Sequence, residues 1–372
     1  MNPDADRPLE PYDGILLLSF GGPEKAEDVL PFLRTVTAGR GIPDERLEEV
    51  AQHYYGFGGR SPINDQNRAL IAALRDELDR RGIDTPVVWG NRNFTPFASE
   101  ALVEASERGL RRLVTVVTSA YSSYSSCRQY REDLALAQEQ AAEQGHDVQV
   151  DKVRPYVNHP GFARTNSRLV TEAVRGLCRE GVEPSGIRLI FVTHSIPTAM
   201  DDTSGPGDLE GNAYGRQHVA LGSAITSEVN ATLELDLDGE LVFCSRSGPP
   251  SQPWLEPDIN DRLEELAAEG ASAVVVAPIG FVSDHMEVVY DLDTEAAATA
   301  DRLGLRMIRV PTVGTDPEFV SGLVDLVEER AAEARGEQPT RPAWPGAALS
   351  SVCPPGCCPN LRAGKPALCG RD

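Results

Sequence analysis

Lysine is almost missing from this 372-residue sequence: of its 35 basic residues only Lys25, Lys152 and Lys365 are lysine, and the rest are arginine. Basic residues of either kind are outnumbered by 57 acidic ones, which leaves a net charge of −22 and an isoelectric point near 4.7. A surface of that sign repels phosphate backbones and anionic lipid, so nucleic acid and charge-driven membrane docking are excluded as partners. No run of 18 apolar residues occurs, which excludes a spanning helix of the usual length. The opening MNPDADRPLEPYDG lacks the basic and apolar segments of an export signal, so the cytoplasm is the expected compartment. Its seven cysteines are then expected as thiols or metal ligands rather than structural disulfides. Three signatures are also absent: GxGxxG after a strand, GxSxG and HExxH. Their absence argues against the common dinucleotide, serine-hydrolase and zinc-peptidase chemistries.

Short apolar runs are plentiful. They begin at residues 14, 85, 111 and 147 in the first half, and at 187, 241, 271 and 307 in the second. Continuous rather than alternating hydrophobicity is the pattern of strands covered on both faces. Amphipathic stretches such as INDQNRALIAALRDELDRRG lie between them. Strand–helix alternation predicts an α/β fold with parallel sheets. Four strands in each half predict two Rossmann-like doubly wound domains, 12–160 and 161–336, with the last helix packing back on the first. A Pro-, Gly- and Cys-rich extension, 337–372, has no periodicity with which to build a core of its own.

Ligands in open α/β sheets sit beyond the carboxyl ends of the strands. His194 follows the run LIFVT there, in THSIP. A neutral imidazole at that place can take a proton or hold a divalent metal; taken alone, it is equally a turn cap. In GFVSDHMEVVYDLDTEAAATA, Glu287, Asp291 and Glu295 recur every four residues. On a helix that spacing forms one carboxylate row, which a hard divalent cation would relieve. A solvated acidic face has the same pattern. The segments HYYGFGGRSPIN and YSSYSSCRQYRED carry tyrosines able to pack on a large conjugated ligand. Cys353, Cys357, Cys358 and Cys369 crowd into 17 residues at the end of the chain, a clustering that suggests a metal or cluster.

SFGGP, YGFGGRSPIN, FVTHSIP, FCSRSGPPSQPWL and GFVSDHMEVVYDLD, in this order, resemble the ferrochelatase family over nearly the whole chain. The resemblance implies two chelatase-like domains with a porphyrin cleft between them, and ferrous iron as the substrate metal. It implies that His194 and Glu287 are the catalytic, metal-handling pair, without assigning proton and metal roles between them. Asp291 and Glu295 would lead metal inward, and Tyr54, Ser61 and Tyr130 would contact porphyrin. Phe20 stands where Gram-positive relatives can use a tyrosine as an axial iron ligand, so that coordination is lost here. The tail resembles the extension of family members with a [2Fe-2S] cluster. Four ligands are then expected among Cys178, Cys353, Cys357, Cys358 and Cys369, the preferred set being Cys178 with three tail cysteines. Cys127 and Cys244 read as small buried residues. The arginine-rich, cysteine-tailed pattern is most similar to the actinobacterial branch. That implies a monomeric enzyme of haem biosynthesis acting on coproporphyrin III, with protoporphyrin IX as the close alternative. A cobalt chelatase, or a non-catalytic haem or iron–sulfur sensor, is a more distant one.

Overall fold

The computed structural model describes residues 8–39, 41–206, 211–249 and 251–368. The first half runs β1 Gly14–Ser19, α1 Val29–Val36, α2 Asp44–Tyr55, α3 Ile63–Arg80, β2 Val87–Asn91, α4 Ala98–Glu107, β3 Arg112–Val117, α5 Gln129–Glu143 and β4 Gln149–Lys152. The second runs α6 Pro160–Arg179, β5 Ile187–His194, α7 Thr198–Asp202, α8 Ala213–Leu233, β6 Gly239–Cys244, α9 Ile259–Ala268, β7 Ala273–Ala277, α10 Met286–Tyr290, α11 Ala297–Leu303, β8 Arg306–Arg309 and α12 Pro317–Ala334. A π-helical turn, Tyr124–Arg128, leads into α5, and another, Asp291–Ala296, joins α10 to α11.

The eight apolar runs are the eight strands. Every residue of β1 (GILLLS) and β7 (AVVVA) is buried, because helices cover both faces of each sheet. Both sheets are parallel, with orders β2-β1-β3-β4 and β6-β5-β7-β8. Strand order reverses between β1 and β3, and again between β5 and β7, so the crevices open beyond those strand ends. The two halves share one apolar core. Ile15 and Leu17 of β1 and Leu189 and Phe191 of β5 belong to it, with Phe162 and Phe319.

Helix α12 follows β8 but packs on α3 of the first half as well as on α6. Arg81 pairs there with Asp325 and Glu328, and buried Arg154 pairs with Glu329 at 2.8 Å. Breaking a buried pair by removing one partner typically costs about 3–5 kcal/mol, so this contact fixes how the second half sits on the first. Beyond α12 the described tail contains no helix or strand. It is nonetheless pinned: the Trp344 N–H donates to the Asn158 carbonyl at 2.7 Å, and the Asn158 amide donates to the Ala347 carbonyl at 2.7 Å.

Candidate active site

His194 is the last residue of β5. Gly280, after β7, lets the neighbouring loop lie against it, since a Cβ there would come within 2.1 Å of the Thr193 hydroxyl. The His194 Nδ1 abuts the Ser195 carbonyl. A carbonyl can only accept, so Nδ1 carries a hydrogen there. The His194 Nε2 lies 3.7 Å from the Glu287 carboxylate. Glu287 lies in the first turn of helix α10, and its oxygen is also 3.9 Å from His285 Nδ1. The carboxylate therefore stands between two imidazoles. Burial lowers the His285 pKa and Glu287 opposes it, while Phe281 packs edge-on against the ring. Gln66 of α3 fixes this loop from the other half: its amide donates to the Asp284 carbonyl at 2.7 Å and accepts from the Asp284 N–H at 2.8 Å.

One turn on, Asp291 accepts a hydrogen bond from the Ser245 hydroxyl at the end of β6. Burial pushes its carboxyl up to about 7; Ser245 opposes the shift, and Glu287 adds to it. The chain is π-helical from Asp291. A wider turn brings residues four apart closer to one line than an α-helix does, and the charges of Glu287 and Glu295 both reach Asp291. Exposed Glu295 ends the row, its charge felt by Asp291 and Tyr290. Tyr54 reaches this group from α2. Burial raises its pKa, followed by the charges of Glu287 and Asp291. Beside it, His53 stacks on Tyr290 with ring centroids 3.9 Å apart, so α2 closes directly over the acidic helix.

The other expected contacts lie away from this group. Ser61 is buried beside Gly22 at the end of β1. Tyr130 is buried in the outer core of the first sheet. The Arg92 guanidinium covers its ring at 4.4 Å, pairs with Asp133 and also faces Phe20. Sequence reading missed Arg92, Gln66, Ser245 and the pairing of His285 with Glu287. His285 alone had a visible signal, two residues before Glu287. Among the described residues, no three His, Cys, Asp or Glu side chains form a preformed metal cage.

The cysteines gather differently from expectation. Cys353, Cys357 and Cys358 are buried against Cys127, not Cys178. Cys178, near the end of α6, packs against the main apolar core. Cys127 sits on the π-turn before α5, so the tail docks mainly on the first half. Arg131 donates to the Leu368 carbonyl at 2.9 Å, and Asn360 to Glu132 at 3.1 Å. Cys358 has a φ of 51°, a reversal that leaves the adjacent Cys357 and Cys358 sulfurs 3.9 Å apart. Hydrogen-bond contacts continue the thiol chain from Cys357 to Cys353 and Cys127. Cys369 lies outside the described residues.

The ferrochelatase family model matches residues 12–331. The coproporphyrin III ferrochelatase of Leifsonia xyli is 52% identical over 384 residues, covering 98% of this chain and 96% of that protein. The proteins of that name from Streptomyces coelicolor and Streptomyces griseus are each 52% identical, covering 97% of both chains. On those matches the chain belongs to the ferrochelatase family.

Proposed function

We propose that this enzyme inserts ferrous iron into coproporphyrin III in haem biosynthesis, with His194 and Glu287 at the porphyrin nitrogens. The observation that carries the reading is the His194 Nε2, 3.7 Å from the Glu287 carboxylate. Insertion removes two pyrrole protons and adds Fe²⁺, with no change of oxidation state. His194, its Nδ1 occupied by Ser195, receives protons at Nε2. Glu287 offers a hard oxygen to the incoming cation. Asp291, with its carboxyl near neutrality, releases a proton as iron approaches from Glu295. Tyr54 stays protonated and walls the group on the α2 side. Ser61 and Tyr130 would meet a macrocycle only after movement, since both are buried and Arg92 covers the Tyr130 ring. The names of the relatives support coproporphyrin over protoporphyrin IX. Iron insertion into each porphyrin, followed by absorbance, tests this: the higher kcat/KM is expected for coproporphyrin III, and a ratio favouring protoporphyrin IX would overturn the substrate.

Cys127, Cys353, Cys357 and Cys358 offer the donor set of a [2Fe-2S] cluster, although as placed they form no preformed cage. Four buried thiols are the donor set such a cluster takes. The hydrogen bond with Cys353 and burial push the Cys127 thiol well up, against the opposing charges of Lys152 and Arg131. When bound, the cluster supplies a staple for a tail without a core, and no step of insertion passes through it. A monomer acting in the cytoplasm completes the proposal. No helix among the described residues is long and apolar enough to cross a membrane.

A further inference from the structure

His194 ends a strand, so its ring is placed by whatever holds the backbone there. Backbone pairing to β6 accounts for one side: the Ser195 N–H donates to the Cys244 carbonyl at 2.8 Å. The other side is held by a side chain. The hydroxyl of Tyr214, on α8, donates to the His194 carbonyl at 2.9 Å and lies 2.7 Å from the Thr193 hydroxyl. Since Tyr214 spends its hydrogen on the carbonyl, Thr193 donates to Tyr214. Both residues are buried, and burial raises the Tyr214 pKa, so the phenol remains a donor.

Tyr214 is itself tightly placed. Its N–H donates to Ser204 Oγ at 3.0 Å, and Ser204 Oγ donates to Asp201 at 3.0 Å. The same Asp201 oxygen accepts the Gly215 N–H at 3.1 Å. Behind the ring, His218 Nδ1 donates to the Tyr214 carbonyl at 2.7 Å, and the His218 ring stacks on Tyr121 at 3.5 Å. The remaining neighbour is Gly205. Its φ of +94° and the approach of Ala213, 2.8 Å from any added Cβ, require glycine. Gly205 is bonded to the tail twice: the Cys358 N–H donates to its carbonyl at 2.9 Å, and its own N–H donates to the Cys358 sulfur at 3.1 Å.

We infer that Tyr214 is the positioning residue of His194, and that the Cys358–Gly205 joint holds the segment that presents it, so the cysteine tail is part of the active-site frame. The inference rests on the reading of His194 given above. A continuous path of buried contacts runs from Cys358 through Gly205, Ser204 and Tyr214 to the His194 carbonyl. Loss of one link lets the imidazole turn without removing any group that touches substrate.

The test uses full-length protein with ¹⁵N-labelled histidine. Among six histidines, His194 is identified by the signal missing from His194→Ala. Tyr214→Phe, which keeps the ring and removes the hydroxyl, is expected to shift the His194 ring signals. It should lower kcat roughly tenfold, the scale of one buried hydrogen bond, with KM for porphyrin unchanged. Thr193→Val removes the second donor and should act in the same direction, even if Tyr214→Phe folds poorly. Cys358→Ala should move the His194 signals more than Cys353→Ala, which spares the Gly205 joint. Unmoved His194 signals in both Tyr214→Phe and Thr193→Val would overturn the positioning role. Equal effects of Cys358→Ala and Cys353→Ala would remove the tail from the frame. Normal turnover in His194→Ala would instead overturn the reading of His194 itself.

Discussion

Asp291→Asn is expected to stabilise the protein while weakening its hold on iron, and the gain should depend on pH. Burial holds the Asp291 carboxyl near 7, against an ordinary value of 3.8. A folded-state pKa raised above the unfolded one means that ionisation is costly only in the folded state. The cost is absent below the unfolded value, grows through the window from about 4 to 7, and is constant above it. At about 1.4 kcal/mol per pKa unit, the whole shift has a ceiling of about 4 kcal/mol. Between pH 5.5 and 8 only the last 1.5 or so units are crossed, a ceiling of about 2 kcal/mol. Solvent reaching a partly exposed side chain reduces that to about 1 kcal/mol. Asparagine keeps an acceptor for the Ser245 hydroxyl and removes the charge, so it isolates this effect. Urea unfolding of both proteins at pH 5.5 and 8 is the assay. The advantage of the variant should be about 1 kcal/mol larger at pH 8. A difference that does not change with pH would refute the burial argument. A variant that becomes relatively less stable at pH 8 would reverse its sign.

His194→Ala should abolish iron insertion with the fold retained; turnover by absorbance and circular dichroism check this, and normal turnover rejects its role. Glu295→Gln should raise the iron concentration needed for half-maximal rate severalfold and leave kcat at saturating iron near normal, because it acts at the entrance rather than on the reacting atoms. Equal losses of kcat in Glu295→Gln and Glu287→Gln would argue against a metal path along this helix. Cys127→Ser should remove the visible absorbance of a [2Fe-2S] centre from anaerobically purified protein. Cys178→Ser should leave it intact, and the reverse pattern would restore Cys178 as a ligand.

The contrast between Cys127 and Cys178 shows where sequence reading stops. Strands covered on both faces must be apolar at every position, so their runs stood out and all eight were found. Strand ends then pointed to His194, and an i, i+4, i+8 repeat pointed to Glu287, Asp291 and Glu295, because those relations are local. The π-turn that straightens the carboxylate row leaves no mark in an apolar period of 3.6 residues. Nor could the chain announce that Gln66 grips Asp284, 218 residues away, or that Arg92 lies over Tyr130. Cys127 was hidden for the same reason. It follows a strand and is buried, which describes an ordinary core cysteine. Its partners are brought to it by a segment with no periodicity, guided by Asn360 at Glu132, Arg131 at the Leu368 carbonyl, and Cys358 at Gly205. Those polar contacts are specific, but each carries only part of the energy that places the tail. The neighbours of the tail thiols are therefore set by where a coreless tail is anchored, at Cys127 before α5 and at Gly205 after α7, rather than by cysteine spacing.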